Sequence, residues 1–225
     1  VLFSLPPALF WLAIHWAVPE LRDRLPGPDV LCWFIAGGSV FVLLLVAALV
    51  GLRREQKTLS FAVLCERFRL RRMSAAEVGW SLGTLLVCGL LAGAIVMVWW
   101  AMPLREPKLS PDFLQMKPLT KETYWVLLAW LPLFFFNIVG EEFWWRGYIL
   151  PRQELQHGRA AWVVHGVLLT LFHSPLGLDF VVIGWPFLFG LPWVVQRTKN
   201  LSTGILLHAL LNGLGFLAMA LGVMG

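Results

Sequence analysis

The chain has 225 residues, 59% of them hydrophobic and 14% charged, with a net charge of +5 and a mean hydropathy of +0.74. About a quarter of an ordinary soluble domain is charged, so a water-soluble globule is excluded, and the abundance of Leu, Val, Phe and Trp excludes disorder. The positive balance does not indicate a nucleic-acid partner, because the cations lie beside apolar stretches rather than on a module of their own.

Apolar segments run over residues 2–18, 30–52, 79–102, 124–150, 160–175, 180–195 and 202–224. Backbone N–H and C=O groups in hydrocarbon must be satisfied within the segment, so each reads as a helix. The expected fold is all-α, a polytopic integral membrane protein of about seven transmembrane helices. The first segment contains Pro6, Pro7 and His15 and is short enough to be incomplete or interfacial. Between the second and third segments, residues 53–73 carry Arg53, Arg54, Lys57, Arg67, Arg69, Arg71 and Arg72 against Glu55 and Glu66. Phe61, Val63, Leu64, Phe68 and Leu70 are interleaved with these cations, the pattern of a helix in the headgroup plane over 59–73. Ser74 and Glu77 have the spacing of a capping box opening the third span. Ser110-Pro111, and Thr120 before Tyr124, read as turn and cap chemistry. Cys32, Cys65 and Cys88 are too scattered for a disulfide framework or a thiolate metal site.

If the basic segment lies in the cytoplasm, alternation puts Arg152, Arg159, Arg197 and Lys199 there as well. It leaves Arg22, Arg24, Arg105, Lys108, Lys117 and Lys121 outside. The excess on one side predicts an N-in, C-out chain in the cell (inner) membrane.

Ionisable groups inside apolar helices are expensive and mark function by default. The fourth segment holds Glu141, Glu142 and Arg146, the fifth His173, and the seventh His208 and Asn212, one turn apart on one face. Glu142 stands one turn before Arg146 and can pair with it. Glu141, about 100° away around the helix, is the carboxylate left free to act as a general base. Measured from the turns at 152–159 and 197–199, these groups lie at about 14 to 21 Å depth at 1.5 Å per residue, on three different helices. An ion-pair cluster that only fixes packing is the competing reading. Asn137, one turn before Glu141, and His165, two turns before His173, could each border a cavity, but read first as interhelical hydrogen-bonding residues. Two histidines with a carboxylate would also suit zinc, so a metal is kept as the alternative to a site without a cofactor. No His-Glu-x-x-His is present.

Glu141-Glu142-x-x-x-Arg146, followed by His173 and by His208-x-x-x-Asn212, resembles the CPBP family of intramembrane proteases, related to the CAAX-prenyl endopeptidases and also called the Abi family. The surroundings, Phe-Trp-Trp-Arg-Gly-Tyr-Ile-Leu-Pro-Arg and Thr203 to His208, are similar to the family's as well, and the likeness runs over about 121–219. One departure stands out: the family's second motif is Phe-x-x-x-His, and here its first place is Leu169. The resemblance implies a four-helix catalytic core within 121–225, preceded by N-terminal transmembrane helices over 1–120. It implies hydrolysis of a peptide bond in a membrane-associated protein or peptide by a glutamate-activated water. Glu141 would be the base, His173 would help hold the water, and His208 with Asn212 would stabilise the oxyanion. Glu142 and Arg146 would support the site. The expected partners are membrane lipids and that substrate. A non-catalytic membrane regulator, immunity factor or scaffold, keeping the cluster for packing, is the alternative.

Overall fold

The computed structural model describes residues 4–55, 60–102, 105–108, 111–114 and 116–223. Lys57, Leu59 and Ser110, named above, lie outside those residues. Among the described residues regular structure is all helical. Helix α1 spans residues 5–22 and has a π-helical turn at Ala13–Ala17. Pro6 and Pro7 sit in its first turn, where a missing N–H costs nothing. Helices α2 (Val30–Glu55), the short α3 (Phe61–Arg67) and α4 (Ala75–Ala101) follow. Helix α5 covers residues 125–157, with a π-helical stretch at Glu142–Ile149. Then come α6 (Ala161–His173), α7 (Leu178–Thr198) and α8 (Leu201–Ala220).

Among the described residues five helical runs are long and apolar enough to cross a membrane: Val30–Glu55, Ala75–Ala101, Trp125–Leu176, Leu178–Thr198 and Leu201–Ala220. The chain is an integral, multi-pass membrane protein. The third run is 52 residues long and contains two of the expected spans. Gly158 separates them in a left-handed conformation (φ 54°) that lets the chain reverse. Helix α1 is not among the five runs, in keeping with its prolines and His15.

Small residues set the closest crossings. A Cβ on Gly140 of α5 would run into the Phe41 carbonyl of α2, so these two helices meet backbone to backbone. Gly166 of α6 faces the Phe189 ring of α7, and Gly190 of α7 lies against Cys88 and Thr84 of α4. Contacts of this kind replace hydrophobic burial as the packing force where the surroundings are lipid.

The basic segment departs from its expected form. Its helix is confined to Phe61–Arg67, capped by the Ser60 hydroxyl, and the chain then turns through Arg69 (φ 54°). Phe68 is the reason: it is 1% exposed and packs edge-on to Phe143, with ring centroids 4.9 Å apart. Three of the segment's cations are tied to the protein's own acids. Arg67 reaches Glu55 at 3.5 Å, Arg69 reaches Glu154 at 2.9 Å and Arg71 reaches Glu77 at 2.5 Å. The Leu201 N–H donates to the Arg69 carbonyl at 2.9 Å, and the Ser202 hydroxyl to that of Arg71 at 2.7 Å. Residues 60–74 are thus a strap across the basic end of α2, α4, α5 and α8. Phe61, at 77% exposure, keeps the interfacial character expected of α3. The Ser74–Glu77 capping box is present.

At the opposite end, Arg105 forms a two-pronged ion pair with Asp179 at the start of α7, and the Lys108 N–H donates to the same carboxylate at 2.8 Å. Donating to the Asp179 carboxylate raises the Arg105 pKa above its ordinary value. Phe113 packs on Trp33 with centroids 4.7 Å apart, and the Leu119 N–H donates to the Ala220 carbonyl at 2.8 Å.

Candidate functional site

Within the bundle lies a cavity of about 320 Å³ whose walls include Asn137, Glu141, Arg146, His173, His208 and Asn212. Its polar side chains come from α5, α6 and α8. Helix α7 adds Phe180 and Leu188, and the walls also draw on Phe10, Trp33 and Phe41 of α1 and α2 and on Pro111 and Leu114 of the connecting loop. The polar residues singled out in the sequence therefore converge on one place, with Glu142 just behind the wall.

The two glutamates differ as their angular offset requires. Glu142 is fully buried, and Arg146, one turn on, grips both of its carboxylate oxygens. His208 from α8 donates through Nδ1 to Glu142 Oε1 at 2.9 Å. A buried carboxylate with three charge-assisted or polar donors is compensated for its desolvation. Gly204 makes room for this: a Cβ there would come within 2.5 Å of Glu142 Oε2.

Glu141, 2% exposed, has a different shell. Its Oε1 accepts from Asn137 Nδ2 at 2.8 Å. Its Oε2 lies 3.9 Å from His173 Nε2, too far for a direct hydrogen bond and close enough for both to hold one oxygen between them. His173 Nδ1 donates to the Leu169 carbonyl at 2.9 Å, which leaves Nε2 with its lone pair toward Glu141. Leu169 is 2% exposed and lines the cavity, so the position that departs from the family motif is a wall residue whose backbone orients the histidine.

Asn212 Nδ2 donates to Asn137 Oδ1 at 2.6 Å and to His208 Nε2 at 3.1 Å. Asn137 is the residue that sequence reasoning undervalues. It sits on the cavity wall, and its place one turn before Glu141 is the signal for it. His165, by contrast, is fully buried and donates to Gln153 Oε1 at 2.6 Å, a link between α6 and α5 outside the cavity lining. Among the described residues no three His, Cys, Asp or Glu side chains form a metal-ligand set. The nitrogens of His208 face Glu142 and Asn212.

Residues 123–214 match the family described as Rce1-like, type II CAAX prenyl endopeptidase. This stretch holds Asn137, Glu141, Glu142, Arg146, His173, His208 and Asn212. Over that stretch the chain is similar to the CPBP or CAAX protease family. No curated protein and no solved structure matches it.

Proposed function

We propose that this protein is an intramembrane endopeptidase that hydrolyses a peptide bond of a membrane-associated protein or peptide, with Glu141 as general base. One observation carries the reading. Of two adjacent buried glutamates, Glu142 is consumed by Arg146 and His208, while Glu141 keeps an oxygen directed at a histidine nitrogen 3.9 Å away on the wall of a cavity.

A water held between Glu141 Oε2 and His173 Nε2 donates a hydrogen to each and turns a lone pair to the substrate. As its oxygen bonds to the carbonyl carbon, its proton passes to Glu141 and the carbonyl π electrons move onto the oxygen. Asn212 on α8 stabilises that oxyanion, the His208 N–H being held by Glu142. Collapse re-forms the carbonyl and breaks the C–N bond, and Glu141 returns its proton to the leaving nitrogen. Glu142 and Arg146 touch no reacting atom and hold His208 in place. The site has no cofactor in this scheme. The cytoplasmic opening expected from the clustered arginines is at odds with the cavity wall, where Pro111, Leu114, Phe180 and Met219 lie at the end of the bundle opposite the strap.

The reading as a regulator or scaffold has one observation in its favour: both Asn212 amide contacts are directed inward, to Asn137 and His208. Glu141→Gln decides between the two. In proteoliposomes with an internally quenched peptide ending in a prenylated CAAX sequence, cleavage should fall by about 10²-fold or more, while expression and melting stay near those of the parent. Undiminished function in Glu141→Gln would favour the scaffold.

A further inference from the structure

A chain of side-chain hydrogen bonds runs through the site from the oxyanion side to the base. Asn212 Nδ2 donates to Asn137 Oδ1 at 2.6 Å, and Asn137 Nδ2 donates to Glu141 Oε1 at 2.8 Å. Asn212 is also joined to His208 at 3.1 Å, and His208 to Glu142 at 2.9 Å. Asn137 is the middle link and joins two functional halves that reach it from different helices.

We propose that Asn137 is a positioning residue, resting on the peptidase reading above, that couples capture of the substrate oxygen by Asn212 to the orientation of Glu141. An amide is the side chain suited to this place. It accepts with one end and donates with the other, so its direction is set once Asn212 offers a hydrogen. With its acceptor end toward Asn212, its donor end must face Glu141. The bond to Oε1 then fixes the plane of the carboxylate and turns Oε2 to His173. Both amide contacts of Asn212 are internal, so it binds a developing oxyanion by releasing either Asn137 or His208. When it releases Asn137, the Asn137 amide is held by Glu141 alone and follows the carboxylate as that group takes its proton. Among the described residues neither histidine hydrogen-bonds to Asn137, and no other side chain hydrogen-bonds both α8 and Glu141.

The experiment uses the full chain in proteoliposomes with the same quenched prenylated peptide, and Asn137→Ala, Asn137→Asp, Asn212→Ala and the Asn137→Ala/Asn212→Ala pair. Asn137→Asp preserves shape and the acceptor for Asn212 but puts an oxygen where Glu141 needs a donor. A residue that only packs would be rescued by it. The expected result is a kcat lower by about ten- to hundred-fold in both Asn137→Ala and Asn137→Asp, with KM within about two-fold. The double variant should lose less than the product of the single losses. Near-parental kcat in Asn137→Asp, a loss confined to KM, or multiplicative losses would each overturn the proposal. Melting of the same four proteins is the second readout, and strictly additive shifts there would overturn the Asn137–Asn212 link without reference to activity. A parent protein that melts normally but leaves the peptide intact would instead sink the peptidase reading and the catalytic half of this proposal with it.

Discussion

Removing Arg146 tests the division of labour between the two glutamates most severely. Glu142 is 0% and Arg146 2% exposed, and the guanidinium contacts both carboxylate oxygens. In Arg146→Met a fully buried carboxylate keeps only the His208 hydrogen bond. Stripping one partner from a buried pair costs about 3–5 kcal/mol, a large part of the roughly 5–15 kcal/mol that holds a typical domain together. Glu142→Gln should fall in the same range, because it strands the guanidinium. The double variant Glu142→Leu/Arg146→Met has no stranded charge and leaves only the His208 N–H without its acceptor, a cost of about 1–3 kcal/mol. It should therefore be more stable than either single variant. Equilibrium unfolding in mixed micelles, followed by intrinsic tryptophan fluorescence, measures all three. Singles within about 1 kcal/mol of the parent, or a double variant that merely sums them, would refute the claim that the pair is a desolvated unit.

Gly140→Ala drives a methyl into the Phe41 carbonyl and should cost about 1–3 kcal/mol by forcing α2 and α5 apart, read in the same unfolding assay; an unchanged midpoint would contradict that crossing. A cysteine placed at Gln156, exposed in the last turn of α5, should resist an impermeant maleimide added outside intact cells in a cysteine-free background, whereas one at Lys121 should react; the reverse pattern would invert the proposed topology. Prolonged chelation should leave cleavage intact, with metal content well below one equivalent; a stoichiometric zinc ion whose removal abolishes activity and whose return restores it would make His173 and His208 ligands.

The polar residues of the site are legible in the sequence because charge in an apolar helix is rare and each such residue needs a partner. Glu142 and Arg146 identify each other by one-turn spacing, and His208 and Asn212 do the same. Asn137 is not legible in this way, since an amide in a membrane helix serves equally well as interhelical glue, and its worth depends on α8 arriving opposite it. The strap is hidden for a related reason. Alternating cations and apolar residues look the same whether they face headgroups or a row of acids, and Glu55, Glu77 and Glu154 lie far from one another in the chain. The π-helical stretch leaves no mark in the pattern, because Glu142 to Ile149 is enclosed on nearly every side and so has no lipid face to reveal its period.

That enclosure bears on how the chain is made. Helix α5 leaves the ribosome carrying Glu141, Glu142 and Arg146 before α6, α7 or α8 exists to receive them. On the scale of translocon insertion an arginine or an acid at the helix centre costs about 2.5–3.5 kcal/mol. Glu142 and Arg146 are matched within one turn of the same helix, so this pair is neutralised as soon as that turn forms, with no help from tertiary structure. Asn137, also on α5, covers one oxygen of Glu141 in the same way. Helix α2 and the strap, both synthesised earlier, are already available to lie against Gly140 and Gly147. His208 joins last, and what it completes is an ion pair that has been matched since the fifth helix entered the bilayer.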